Sequence, residues 1–408
     1  MPNAEPVTEA PPTDQRRAAL LVLFLTVAID LLGFGIVIPF LPLYAARMHV
    51  GAFGIGLVLS IYSMMQLLCA PVLGRISDHV GRRPIIMLGL LGSAASYTIY
   101  GFASSFAMLL FSRALHGACA ATVSTAQAYV ADTTDDSNRA HGMGMIGAAF
   151  GLGFVLGPAL GGLLGHSSLR TPVFFAAALT FANLIFAAMR LPESHPPDPH
   201  ARLELAQLAQ PIIGLPQQLL GHHLTELFTI AFLATFAMAA FEATFALMVF
   251  ARFGYGPAGV GGLLAYAGLL QALVQGYLLG KVVKRTGEMR LIRGGMIALA
   301  IGLAPMASVS SHAILFVLLA MVAIGYGFAS PSVASLISKR TERRLQGEVL
   351  GINQSALSLA RIFGPIAAGF AYQKFGPPAA YIGAGLVALG ALAMTRNAAL
   401  KTERIREA

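Results

Sequence analysis

Long apolar runs broken by short polar joins set the pattern of this chain. A bilayer span needs roughly 20 mostly apolar residues in a helix, because only helices and closed barrels satisfy the backbone inside hydrocarbon. Twelve such windows can be read, near residues 18–45, 54–76, 85–103, 105–130, 142–166, 171–190, 224–250, 258–280, 291–309, 312–336, 347–373 and 377–395. The joins between spans 3 and 4 and between spans 9 and 10 are short enough to demand tight helical hairpins. Six spans precede the one long polar connection, Pro192 to His223, and six follow it. The pattern divides the chain into a tail at 1–17, a six-helix bundle at 18–190, a linker at 191–223, a second six-helix bundle at 224–395 and a tail at 396–408. The first tail is polar and Pro-rich, and the apolar run after Arg16-Arg17 is too long for a cleavable signal peptide. Pro192, Pro196, Pro197 and Pro199 keep the linker from starting as a helix, while Leu203 to Leu208 could lie as a short amphipathic helix on the membrane.

Composition agrees with spans rather than with a soluble core. Hydrophobic residues make up 56% of the chain and charged ones 11%, too few to cover water-facing domains of this length. The net charge of +9 raises the question of nucleic acid, but the basic residues sit in loops, with no long basic run and no interleaved stacking aromatics, so no nucleic-acid partner is expected. Their distribution tests the topology instead. Placing both termini and the even-numbered loops on one side gathers 21 of the 27 Lys and Arg there; Arg47, Arg170, Arg252 and Lys374 fall on the other side, and Arg113 and Arg361 within spans. The positive-inside rule then makes both termini cytoplasmic. Cys69 and Cys119 fall inside apolar segments, where buried, inert thiols are expected rather than a disulfide or a metal site.

The halves echo each other. The charged stretch Gly74 to Pro84 returns as Gly280 to Arg290, 206 residues on (280 − 74), and Gly157-Pro158 returns as Gly364-Pro365. A chain that repeats itself at half its length is two copies of one fold. Four ionisable residues lie deep in spans: Asp30, Arg113, Glu242 and Arg361. Charges there are costly and face a cavity rather than lipid. Asp30 is about midway through span 1 and Glu242 midway through span 7, so one acid per half faces one central cavity, where a proton and a cationic substrate would compete. Arg361 could pair with one of these acids or serve a purely structural ion pair. His116, one turn from Arg113, is either a proton relay or a hydrogen-bonded packing residue. Gln66, Gln127, Asn353 and Gln354 are cavity hydrogen-bonders or interhelical contacts. Met64, Met65, Met238 and Met248 with Phe241 and Phe245 could form an adaptable drug-binding wall, or could face lipid.

Several motifs resemble the signatures of the major facilitator superfamily: Gly74-x-x-x-Asp78-x-x-Gly81-Arg82-Arg83, Arg113 followed by Gly117, and Gly157-Pro158-x-x-Gly161-Gly162. Asp30-x-x-Gly33 followed by Pro39 and Pro42, Cys69 leading to Gly74, Tyr129-Val-Ala-Asp132 and Leu191-Pro-Glu-Ser-His195 resemble the tetracycline/proton antiporters of its twelve-span drug efflux group. The resemblance implies an all-α membrane protein of twelve helices in two pseudo-symmetric six-helix bundles. Gly74 and Gly81 would let two spans and their loop approach closely, and Asp78 could accept backbone N–H bonds at the start of a neighbouring helix, which the resemblance identifies as span 11. Arg82 could reach Asp132, giving a cluster that holds the cytoplasmic side shut; the alternative is that these charges only set topology. The second copy has Lys284 where Asp78 stands and should latch poorly. In span 5, Gly147 and Gly151, then Gly153, Gly157, Pro158, Gly161, Gly162 and Gly165, permit close helix packing; the resemblance adds that this segment marks antiporters. It implies too that Arg113 tunes a nearby acid.

The chain carries Ser96-Tyr97 where the tetracycline exporters carry an acid in span 3, and Glu242 and Arg361 are not part of their pattern. The expected function is proton-driven export of small amphipathic drugs, tetracycline-like or multidrug, by alternating access from the cytoplasm of a bacterium across its inner membrane. The protein should be monomeric, no enzyme, and without metal or cofactor, the proton gradient being its source of energy. Proton-coupled uptake of a sugar or organic acid uses the same fold. A sensor or hydrolase is disfavoured by the lack of a phosphate loop, a Gly-x-Ser-x-Gly elbow or a His-Glu-x-x-His site.

Overall fold

The computed structural model describes the backbone of residues 13–134, 136–194, 224–342 and 345–407, and the side chains of 18–134, 142–194, 224–342, 345–346 and 349–396. The first tail and the proposed helix at Leu203 to Leu208 lie outside the described residues. Every regular element among the described residues is helical, and each of the twelve apolar windows is occupied by a helix.

Proline and glycine shape the helices where the sequence places them. Span 1 runs Thr13–Val37, tightens into a 3-10 turn at Ile38–Phe40, and resumes as Leu41–Ala46. Pro39 and Pro42 each lack the N–H that a continuous helix would need there. Spans 2 and 3 are Ala52–Val80 and Arg82–Phe102, joined by Gly81 at φ 101°. Span 4 is two helices, Phe106–Cys119 and Thr122–Thr133, where one was expected. Spans 5, 6 and 7 are Asp136–Leu164, Arg170–Arg190 and Thr225–Phe253. Span 8 runs Pro257–Leu273, widens into a π turn at Val274–Leu278, and ends as Leu279–Thr286. Spans 9 to 12 are Glu288–Leu303, His312–Lys339, Gln346–Phe375 and Pro377–Glu407. The membrane-spanning part of span 12 ends at Arg396, and its helix runs on into the tail. Among the described residues, ten spans are long and apolar enough to cross a membrane on those grounds alone. The other two are the 16-residue span 9 and span 11, which carries Asn353, Gln354, Ser355, Ser358 and Arg361. Outward-facing Phe102, Phe111, Leu163, Met189 and Leu386 are all at least 60% exposed, a surface suited to lipid rather than water.

The repeat predicted from sequence is structural. Gly81 and Gly287 both take a positive φ, at 101° and 76°, and each starts the next span. Only glycine reaches this conformation without strain. The two halves meet through two equivalent pairs of spans: 2 on 11 and 5 on 8. In the first, the position of a β-carbon on Gly56 falls against the Pro365 carbonyl, Gly369 falls likewise on Ala52, and the Ser60 hydroxyl donates to the Ile362 carbonyl. Gln373 Oε1 accepts from the Phe53 amide at 3.0 Å. In the second, a β-carbon on Gly261 would lie 2.7 Å from the Gly162 Cα, and one on Gly268 would lie 2.7 Å from the Phe154 carbonyl oxygen.

All these contacts lie toward the side of the odd-numbered loops. Toward the termini side the same helices part: β-carbons on Gly144, Gly147 and Gly151 of span 5, on Gly276 and Gly280 of span 8, on Gly74 of span 2 and on Gly351 of span 11 would each meet nothing within 4 Å. The buried core shows the same division. One cluster joins both halves, whereas Leu23, Val27, Leu31, Ile86, Tyr129, Val130 and Ile146 form a second cluster that belongs to the first half alone. The halves thus enclose a cleft that is shut on the odd-loop side and open on the termini side.

Candidate functional site

The head of the cleft is set by the last contact between spans 2 and 11. Ser60 and Ile362 close it, and Tyr62 and Arg361 lie within one helical turn of them along their own spans. Asp30 of span 1, Tyr62 of span 2 and Arg361 of span 11 are half-buried, and Glu242 of span 7 is exposed although it lies midway along a helix whose neighbouring positions are buried. An exposed carboxylate at that depth faces the cleft. Arg361 is close enough to act electrostatically on both Glu242 and Tyr62, and Tyr62 also lies in the fields of Asp30 and Arg113. Tyr62, which sequence reasoning missed, is therefore the side chain common to all the charged groups from both halves except Glu242. A tyrosine in an apolar run gives no signal of which way it points.

Arg113 and His116 do not line the cleft as expected. They are 1% and 4% exposed, lying behind Tyr62. The Arg113 guanidinium stacks 4.6 Å from the Tyr62 ring centroid and bonds through Nη1 to His116 Nδ1 at 2.8 Å. Since the guanidinium can only donate, that ring nitrogen accepts. The His116 ring packs at 4.8 Å from Tyr97, 5.0 Å from Tyr62 and 6.1 Å from Phe34. Of the two readings of His116, the geometry is that of the hydrogen-bonded packing residue. Gln66 donates to the Ala120 carbonyl at 3.4 Å, satisfying a group at the break in span 4. Met248, Phe241 and Phe245 are buried core rather than a drug-binding wall, while Met64 is exposed.

The predicted latch is assembled but turned inward. Arg82, 7% exposed, pairs with Asp78, bonds through Nε to Asp132 Oδ2 at 2.8 Å and through Nη1 to Ser77 Oγ at 2.7 Å. Asp78 reaches no group of span 11 among the described residues; its partner is Arg82 of its own half, because the halves are apart on this side. Gly74 likewise brings nothing close in this conformation, and Gly81 is required by its backbone angle rather than by a close approach. Glu193, unassigned in the sequence reading, accepts from the backbone amides of Arg82 at 2.8 Å and Arg83 at 3.1 Å, capping span 3. Arg83 donates to the Ala188 carbonyl and the Tyr129 hydroxyl to the Pro192 carbonyl at 3.0 Å. The cluster ties spans 2, 3, 4 and 6 together within one half.

The second copy carries an ion pair of its own beside Lys284. Glu288 stands 206 residues after Arg82 (288 − 82) and Lys339 stands 207 after Asp132 (339 − 132), and the two form an ion pair, with Ser335 donating to Glu288 at 3.3 Å. Lys284, Glu288 and Lys339 thus replace Asp78, Arg82 and Asp132 with every sign reversed.

The span 5 glycines divide in two. Gly153, Gly157 and Gly161 seat span 5 on span 1: a β-carbon on Gly157 would lie 2.6 Å from the Gly35 Cα, and one on Gly161 2.5 Å from the Ile36 carbonyl oxygen. Gly162 and Pro158 meet Gly261 of span 8. Gly147 and Gly151, expected to pack, are open.

Two helical bundles around a cleft with charged groups at its head define a multi-pass membrane transporter of small molecules. The sequence profile of the Major Facilitator Superfamily matches residues 23–365 and 227–404, and the chain belongs to that family. It is 33% identical over 351 residues to the class C tetracycline resistance protein of Escherichia coli, covering 85% of this chain and 88% of that one. It is 28% identical over 373 residues to multidrug resistance protein 2 of Bacillus subtilis strain 168, covering 88% and 90%. Among solved structures it resembles the human organic anion transporter MFSD10 (TETRAN), with 27% identity and a TM-score of 0.71 over 94% of this chain and 100% of that one.

Proposed function

We propose that this chain is a proton-coupled antiporter that exports small amphipathic drugs across a bacterial inner membrane, with both termini in the cytoplasm. The observation that carries the reading is the placement of Asp30 and Glu242, one carboxyl from each half, at the head of a cleft that is closed on the opposite side. The gathering of Lys and Arg at the termini side supports a cytoplasmic orientation, so the cleft is open to the cytoplasm. The named relatives support drugs as the substrate class. In this conformation a drug enters from the cytoplasm and a proton leaves an acid toward it; after the halves rock, the drug departs outward and a proton returns. Each step needs the acids to exchange protons with only one side at a time.

The test is drug accumulation in inverted membrane vesicles with an imposed proton gradient. Asp30→Asn or Glu242→Gln should abolish accumulation against a gradient while the protein still inserts. Undiminished accumulation in both variants would contradict the proposal. A second reading concerns substrate charge: Arg361 at the head of the cleft and the likeness to the human organic anion transporter favour anionic compounds. Under that reading Arg361→Gln loses export of an anionic dye and keeps that of a cationic one.

A further inference from the structure

Behind Asp30, on the side away from the cleft, lies a group of buried polar side chains with unspent hydrogen bonds. Thr26 and Thr180 are fully buried, as is Tyr97, and Asn183 is 1% exposed. Among the described residues, the hydroxyls of Thr26, Thr180 and Tyr97 and the Asn183 Oδ1 make no hydrogen bond, nor does Asp30 Oδ1. They form one locus. Asn183 donates to the Thr26 carbonyl at 2.8 Å, one turn from Asp30 on the termini side. One turn in the other direction, a β-carbon on Gly33 would lie 3.1 Å from Thr180 Oγ1 and 3.6 Å from the Tyr97 ring, and Tyr97 lies in the field of Asp30.

A buried polar group left without a partner is costly, and folded interiors hold few of them. Several gathered against span 1 within one turn of a single buried carboxyl call for a reason. An ionised carboxylate accepts at both oxygens, whereas a protonated one needs fewer donors. Threonine and tyrosine hydroxyls can turn to donate when the charge appears, with no movement of the helices.

We propose that Tyr97 and Thr180 are positioning residues for the carboxyl of Asp30, holding hydroxyl donors in reserve for its ionised form. The proposal rests on the reading that Asp30 carries the coupled proton. It means that the proton leaves toward the cleft while the bundle interior stabilises the charge left behind, so a drug need not itself neutralise Asp30. The other groups facing this carboxyl are consistent with that role. Span 2 contributes Tyr62, and span 4 contributes Thr122, with Arg113 and His116 beyond the tyrosines. Span 5 meets span 1 here through Gly153 and brings no titratable group, and span 6 brings Thr180 and Asn183. From the second half, Arg361 acts on Tyr62.

The experiment measures proton release on addition of a cationic dye to the purified protein across a pH series, together with dye affinity at the high-pH plateau. Thr180→Val and Tyr97→Phe keep the side-chain shape and remove the donor. Each should move the pH midpoint of release upward by about one unit, the equivalent of one lost hydrogen bond to the charged form, and leave the plateau affinity unchanged. Thr180→Ser should restore the midpoint. Unchanged midpoints in both variants, alongside a reduced release in Asp30→Asn, would overturn the positioning role. A release unchanged in both amplitude and midpoint in Asp30→Asn would instead refute the coupling role of Asp30 itself.

Discussion

Glu193 shows how much one side chain holds in place on the termini side. Its carboxylate meets the first amides of span 3, which have no partner within the helix, and opposite charge suits that helix end. Loss of such a cap typically costs about 1 kcal/mol. Glu193→Ala should therefore lower the unfolding midpoint of the detergent-solubilised protein, with Glu193→Gln losing less; equal stability of all three proteins would contradict the capping role. The cap could not be read from sequence because it joins positions 111 residues apart. Asp30, Arg113, Glu242 and Arg361 were legible because a charge within an apolar run stands out. Their division was not: Arg113 and Arg361 look alike in sequence, but one is sealed behind Tyr62 and the other lies at the cleft.

The helices themselves follow hydropathy, while their irregularities do not. The break in span 4 at Ala120–Ala121 and the π turn in span 8 have no proline to announce them. The π turn begins six residues past Gly268, the last close contact of span 8 with span 5, and such turns recur at functional positions. The glycines supply a register. Gly162 faces Gly261 and Phe154 faces Gly268 in antiparallel order; continued toward the termini side, the same order sets Gly147 opposite Gly276 and Gly144 opposite Gly280. When the cleft shuts on this side, these glycines should meet. Paired cysteines at Gly147 and Gly276 should form a disulfide only under a proton gradient that favours the outward-open state, and the bond should stop transport. Equal crosslinking with and without the gradient would contradict this register.

At the scale of the whole molecule, the two copies divide the work unequally. Among the described residues, the first half holds most of the buried polar atoms within the spans that lack a partner, including Asp30 Oδ1, the Tyr97 and Thr180 hydroxyls and two guanidinium nitrogens of Arg113, while the second contributes Glu242 and Arg361 at the cleft. The twofold plan was legible from the spacing of Gly81 with Gly287 and of Gly157-Pro158 with Gly364-Pro365. The Glu288–Lys339 ion pair was not legible, because Lys284 read against Asp78 alone hides the reversal of all three signs. Which side of the cleft is open depends on close backbone contacts across the halves, which hydropathy cannot report. The central claim is that drug entering this cleft displaces a proton from Asp30 or Glu242. Its most direct test is proton release from purified protein in weakly buffered solution on adding drug. The account predicts a saturable release by the wild-type protein that is lost in the Asp30→Asn, Glu242→Gln double variant even though drug still binds; the same release from that variant would contradict it.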